Sequence, residues 1–178
     1  SEVAQAIDTL FTYAAWADKY DGTAKSVPIR GVALAMHEPC GVIAALCPDG
    51  SPLLGLIALM APAIAMGNTC VLVPSDPFPL AATDFYQVLE TSDLPAGVVN
   101  IVTGSHAELA KPLAGHMDID ALWSFSSAPV SKTIEEESAT NLKRTWVNNG
   151  QSTVLPIAAK TILAQATEVK TIWIPYGE

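Results

Sequence analysis

Two apolar runs set nearly end to end constrain this chain more than anything else in it: Gly41 to Cys47 (GVIAALC) and Leu53 to Met66 (LLGLIALMAPAIAM). The first has no polar–apolar alternation, so it reads as a strand covered on both faces. The second contains Pro62 and falls short of the ~20 apolar residues a membrane helix needs, so it reads as a buried helix. Between them, Pro48-Asp49-Gly50 is a turn, Ser51 stands at the N-cap and Pro52 at the first helical position, while Gly67-Asn68 closes the helix. A doubly covered strand followed by a buried helix is the first half of a βαβ unit.

The rhythm continues downstream. Cys70–Val73 reads as a strand, Leu80–Leu89 as a helix, and Val98–Val102 as a strand ending at Thr103-Gly104. Ser105-x-x-Glu108 has the form of a capping box for the next helix. Ala121–Trp123 is strand-like, Pro129–Ser138 helical, and Leu142–Val147 completes the set. The expected fold is α/β and Rossmann-like: a five-stranded parallel sheet over residues 41–149, with right-handed crossovers and helices on both faces. Upstream, Val3, Ile7, Leu10, Phe11 and Ala14 recur at helical spacing, giving a helix over 3–17, and Gly31–Met36 (GVALAM) reads as a strand. A helix opened by Pro156 and a strand over 168–175 follow the sheet, so that residues 1–178 make one domain.

Composition excludes several classes of function. The formal charge of −9, with few and scattered Lys and Arg, opposes binding to nucleic acid or to an anionic membrane. Glu135–Glu137 reads as a solvated helix face rather than a metal site. His37, His106 and His116 have no Cys or carboxylate at ligand spacing, which points to surface or helix-end roles. The three cysteines form no C-x-x-C and no even set, which suits a reducing, cytoplasmic setting. Cys47 and Cys70 fall at buried strand positions and Cys40 follows a proline, so none has the exposure of an activated thiol. The chain has no export signal at its start and opens Ser1-Glu2 without methionine, as expected of a piece of a longer protein. No G-x-G-x-x-G follows any strand, and Thr103-Gly104 reads either as an anion site or as helix punctuation.

EPCGVIAALCPDGSPLLGLIALMAPAIAMGNTCVLVPSD (Glu38 to Asp76) followed by LPAGVVNIVTG (Leu94 to Gly104) resembles the cofactor-binding domain of the aldehyde dehydrogenase superfamily. AAWADKYDG (Ala14 to Gly22) is similar to the helix preceding that domain, and EVKTIWIP (Glu168 to Pro175) to the family's oligomerisation strand, so the resemblance runs nearly end to end. It implies remnant cofactor contacts at Pro74, Ser75, Gly104 and Ser127, and interface positions at Val169, Ile172, Trp173 and Ile174.

The departures from the family pattern carry the functional expectation. Where the family's K-P-S-E has a lysine for the adenosine ribose, this chain has Val73. Pro48–Pro52 (PDGSP) puts Gly50 where the family's P-W-N-F-P has the oxyanion-hole asparagine. F-T-G-S becomes Ser124-Phe125-Ser126-Ser127, and E-L-G-G, with its general-base glutamate, becomes Val147–Gly150 (VNNG). Only the stretch 151–167 stands where the family inserts its catalytic domain. Losing two such contacts at about 1.5–3 kcal/mol each weakens cofactor affinity by about a hundredfold to ten-thousandfold. The expectation is a non-catalytic domain, similar to the shortened second domain of two-domain, family-sixteen aldehyde dehydrogenases. It would serve assembly or support of an NAD-dependent dehydrogenase, as a homo-oligomer or with a catalytic module. No cofactor is expected, NAD binding only weakly if at all; the alternative is a regulatory module that keeps residual NAD or phosphate affinity.

Overall fold

The computed structural model describes residues 1–176. Helix α1 (Glu2–Trp16) and strands β1 (Thr23–Lys25) and β2 (Gly31–Pro39) lead into β3 (Val42–Leu46), α2 (Pro52–Ala65), β4 (Thr69–Val73), α3 (Leu80–Glu90) and β5 (Val99–Ile101). There follow α4 (His106–Gly115), β6 (Ala121–Ser124), α5 (Ala128–Ser138), β7 (Arg144–Val147), α6 (Ala159–Gln165) and β8 (Thr167–Pro175). Strands β3 to β7 form a five-stranded parallel sheet in the order β5-β4-β3-β6-β7. The winding reverses between β3 and β6, which puts a crevice at the carboxyl ends of those strands.

Alternation along each strand divides the core into two layers. Ile43, Ala45 and Cys47 pack with α1, α2 and α6, whereas Ala44 and Leu46 pack with α4 and α5. Ile43 to Leu46 are at most 1% exposed, so both faces of the strand are apolar and no alternation shows in the sequence. Each of the larger side chains stabilises the sheet by roughly 1.5–3 kcal/mol. Val73 belongs to the α4–α5 layer and is fully buried.

Helix α2 begins at the expected place, but not with the expected cap. Ser51 makes no side-chain capping bond. Instead the Leu53 and Leu54 N–H groups each donate to Glu2 Oε1 at 2.9 Å, so the first turn of α1 closes the first turn of α2. A carboxylate there satisfies two orphan donors and sits at the positive end of the helix. Ser105 is likewise an N-cap without a side-chain bond, and Asp76 Oδ1 accepts from the first amide of α4, the His106 N–H, at 2.9 Å.

Helix α1 turns the other way from its apolar spacing. It buries Ala6, Thr9 and Tyr13 against the core and leaves Val3, Ile7, Phe11 and Ala14 exposed, with Leu10 half-buried. Ala6 and Thr9, small residues on the inner face, let α1 lie close to α2, while Glu2 fixes its rotation. The terminal helix is also shorter than expected, with Ala158 as its N-cap. Leu155, Ile157 and Ala159 all pack on the core, and that spacing of two is the spacing of extended chain. Pro156 therefore precedes the helix rather than opening it.

A second, antiparallel sheet has the order β1-β2-β8, of which β1 was not legible as a strand. Strand β8 pairs along its length with β2, from Gly31 opposite Pro175 to Pro39 opposite Thr167. Lys170 Nζ donates to Glu38 Oε1 at 2.9 Å across the pair. A terminal strand of this kind is expected to add to a sheet edge, either GVALAM of its own chain or a neighbouring subunit's sheet; here it takes GVALAM, and its other edge has no strand partner among the described residues. No helix of the described residues is long and apolar enough to cross a membrane.

Candidate functional site

The carboxyl ends of β3, β6 and β7 border a cleft of about 540 Å³, at the place where open α/β sheets hold ligands. Pro48, Asp49, Gly50 and Ser51 form one wall, and Phe125, Ser126 and Ser127 another. The turn after β7 closes the third, through Asn148 and Gly150. Among the described residues, Asp49 is the single ionisable side chain in the lining, and no Lys, Arg or His contributes.

The β7 turn is built to lie against α5. Asn148 Nδ2 donates to Gln151 O at 2.8 Å and to Thr153 Oγ1 at 3.1 Å, and Asn148 Oδ1 accepts from the Gly150 N–H at 3.2 Å. Asn149 and Gly150 follow with φ of 53° and 73°. A Cβ on Gly150 would stand 3.0 Å from the Ala128 backbone nitrogen, so glycine is needed both for its conformation and for close approach to the first amide of α5.

The expected cofactor positions are not gathered in one place. Ser127 is exposed at the N-cap of α5, makes no capping bond and lines the cleft. Pro74 and Ser75 are buried and do not line the cleft, and the Ser75 hydroxyl has no partner among the described residues. Gly104 is exposed outside the cleft, and a Cβ there would stand 2.9 Å from Leu109 Cδ1. Between these groups lies a residue that sequence reading took for an isolated surface or helix-end histidine. His106 is indeed the first residue of α4, but it is 2% exposed. Its Nε2 lies 2.8 Å from the Pro74 carbonyl and its Nδ1 3.0 Å from Ser126 Oγ, so the ring bridges the ends of β4 and β6. Nothing local marks that role, because its partners stand 32 and 20 positions away.

A dinucleotide fits these residues poorly. The imidazole fills the space between the ends of β4 and β6, Val73 is sealed in the core, and the lining offers a carboxylate instead of a counter-charge for phosphate. Pro129 in the first turn of α5 removes one of the N–H groups a helix end would present.

The thiols are equally unsuited to nucleophilic work. Burial pushes the Cys70 thiol up to about 12 and the fully buried Cys47 thiol up as well. Cys40 is also raised, chiefly by burial against the pull of Arg144, whose Nη1 donates to its Sγ at 3.1 Å. The same guanidinium donates to the Thr167 carbonyl at 2.7 Å and so ties β7 to the start of β8. No cluster of three or more His, Cys, Asp or Glu that could hold a metal occurs among the described residues. His116 accepts from the Asp118 N–H at 3.2 Å, and His37 stacks on Tyr20 at 4.3 Å.

Away from the cleft, the arm carries the expected interface residues in the open. Val169, Ile172, Trp173 and Ile174 are 59%, 37%, 55% and 48% exposed, divided between the two faces of β8. Tyr176 beside them is 59% exposed.

Residues 1–171 match the model of the aldehyde dehydrogenase family. The chain is 35% identical over 171 residues to human aldehyde dehydrogenase 1A1, covering 94% of this chain and 34% of that protein. It is 34% identical over 168 residues to an NADP/NAD-dependent aldehyde dehydrogenase of Escherichia coli, covering 93% of this chain and 34% of the relative. Among solved structures, a gamma-glutamyl-gamma-aminobutyraldehyde dehydrogenase from Burkholderia cenocepacia superposes with a TM-score of 0.77 at 36% identity, over 83% of this chain and 30% of that one. The chain thus spans about a third of the length of the curated relatives it matches.

Proposed function

This chain belongs to the aldehyde dehydrogenase family, and from that premise we propose that it is an assembly module: a unit of cofactor-binding type over residues 1–178 that supports an NAD-dependent aldehyde dehydrogenase without oxidising aldehydes itself. The observation that carries this reading is the arm. Strand β8 offers an edge unpaired among the described residues and exposed apolar side chains on both faces, a combination that soluble chains avoid unless it is covered. Its first partner is a second copy of this chain, in a dimer; a catalytic dehydrogenase module is the other. The state of the cleft supports the same reading, since its thiols lie elsewhere and are held protonated, and its only carboxylate is Asp49. Free thiols at Cys40, Cys47 and Cys70 support a reducing, cytoplasmic setting. Incubation of the chain with NAD and a panel of aldehydes should form no NADH. Turnover that disappears when all three cysteines are replaced by alanine would overturn the proposal.

A second reading is a regulatory module with residual affinity for NAD or phosphate. The open cleft and the exposed Ser127 at the start of α5 favour it. Calorimetric titration with NAD to millimolar concentration separates the two: no heat upholds the assembly module, and a saturable signal lost in Ser127→Ala establishes the second reading.

A further inference from the structure

The turn after β7 holds two consecutive asparagines whose side chains are in opposite situations. Asn148 is pinned: its Nδ2 donates to Gln151 O at 2.8 Å and to Thr153 Oγ1 at 3.1 Å, and its Oδ1 accepts from the Gly150 N–H at 3.2 Å. Asn149 is exposed, and its carboxamide makes no hydrogen bond among the described residues. The other three asparagines of the chain resemble Asn148. Asn68 Nδ2 donates to the Ala63 and Ala166 carbonyls while its Oδ1 accepts from the Gly41 N–H. Asn100 Nδ2 donates to the Cys70 and Gly97 carbonyls, and Asn141 Nδ2 to the His116 carbonyl. Each of these three is followed by a residue with a side chain, Thr69, Ile101 or Leu142. Asn149 alone joins a free carboxamide to a following glycine, which has no Cβ to keep its backbone nitrogen from the carboxamide carbon.

The backbone suits the same chemistry. The Gly150 N–H is held only by Asn148 Oδ1, at the long end of the N–H···O range and at the surface, so opening that bond uncovers no core. With φ of 53°, Asn149 stands in the left-handed region that disfavours a residue with a Cβ, and leaving it relieves the backbone.

We propose that Asn149 is a site of spontaneous deamidation, and that the modification loosens the turn that closes the cleft. Base from solvent removes the Gly150 amide proton, and the nitrogen bonds to Asn149 Cγ. The bond from Cγ to Nδ2 breaks, and Nδ2 takes a proton from water and leaves as ammonia; a five-membered succinimide remains. Water then opens the ring at one of its two carbonyls. Breaking the bond between Gly150 N and Cγ gives aspartate. Breaking the bond between Gly150 N and the main-chain carbonyl carbon gives isoaspartate, whose main chain runs through Cβ and Cγ. Asparagine and water become aspartate or isoaspartate and ammonia, with no oxidant or reductant. Either product adds a negative charge, and isoaspartate also lengthens the main chain by one carbon. The turn has no room for that carbon, because even a Cβ on Gly150 would stand 3.0 Å from the Ala128 backbone nitrogen. Gly150 then moves away from α5, and the wall it forms with Asn148 opens.

The test ages the full chain at mildly alkaline pH, folded and in urea, and follows each asparagine by peptide mass spectrometry. In the folded chain Asn149 should convert about tenfold or more faster than any other asparagine, a barrier difference of ~1.4 kcal/mol or more. Its rate should stay within about threefold of its rate in urea, whereas the fold should slow Asn148 by about tenfold or more. Hydrogen exchange over residues 148–153 should quicken on ageing in the parent and not in Asn149→Gln. An Asn149 that keeps its amide, or that the fold slows by about tenfold, would overturn the proposal. So would exchange over the turn that fails to quicken in the aged parent, or that quickens as much in Asn149→Gln.

Discussion

Strands β3 and β8 both place apolar side chains on both faces, β8 only in part because Glu168, Lys170 and Thr171 interrupt it, yet they have opposite surroundings. In β3, Ile43 to Leu46 are at most 1% exposed, because α1, α2 and α6 cover one face and α4 and α5 the other. In β8, Val169, Ile172, Trp173 and Ile174 lie between 37% and 59% exposed, and only one edge is paired. The apolar composition of β3 is accounted for within the chain. That of β8 is not accounted for among the described residues, and the proposed assembly would supply its complement from another surface. The difference teaches that apolar residues on both faces of a strand do not by themselves say whether the chain covers them.

The largest effect that would break this comparison lies in β3. Leu46→Ala removes buried methyl groups from the α4–α5 layer and should cost about 2–5 kcal/mol in urea unfolding. Ile172→Ala in β8 should cost the monomer less than ~1 kcal/mol and instead make the unfolding midpoint independent of protein concentration. Equal losses at the two sites would erase the distinction.

Alkaline pH sharpens it further. In the unfolded chain thiols lose their protons near 9.0 and a phenol near 10.0, whereas in the fold Cys70 and Tyr13 are raised to about 12 and Cys47 is raised as well. Above pH ~9 the native state therefore binds more protons than the unfolded one, and stability falls as pH rises. Below that point the contribution is fully present. Each thiol proton retained should add about 1.4 kcal/mol of loss per pH unit. Denaturant midpoints between neutral pH and pH ~10 measure this slope, and replacing Cys47 and Cys70 with alanine should flatten it; the arm, which holds no such group, should not contribute.

A smaller effect is expected at the contact between α1 and α2. Glu2→Ala removes the acceptor of two N–H groups and should cost about 1–2 kcal/mol, while Glu2→Gln, which keeps an oxygen, should cost less. Thermal unfolding of the two variants decides it; equal losses would mean that the charge, and not the cap, fixes α1.

What was legible in the sequence was local, and what was hidden came from distant partners. The order of strands and helices from Val42 to Val147 follows from periodicity and turn residues, because each signal lies within its own element. The rotation of α1 did not, since Glu2 reaches Leu53 and Leu54 across 51 and 52 positions. At α4 the N-cap position Ser105 was legible, but the acceptor of the His106 N–H, Asp76, stands 30 positions away. At the cleft, the resemblance of its surrounding motif drew attention to Ser127, while the contact between Ser126 and His106 was hidden because the two stand 20 positions apart. The arm fell between these cases. Its residues were plain, and its pairing with GVALAM was one of the two edges open to it.

The assembly role rests on what covers β8, and sedimentation velocity tests it most directly, comparing the parent chain with an Ile172→Lys, Trp173→Glu double variant across a range of concentrations. The account predicts a dimer for the parent and a monomer with an unchanged circular-dichroism spectrum for the variant. A parent that stays monomeric at every concentration, or a dimer that the two charges leave intact, would contradict it.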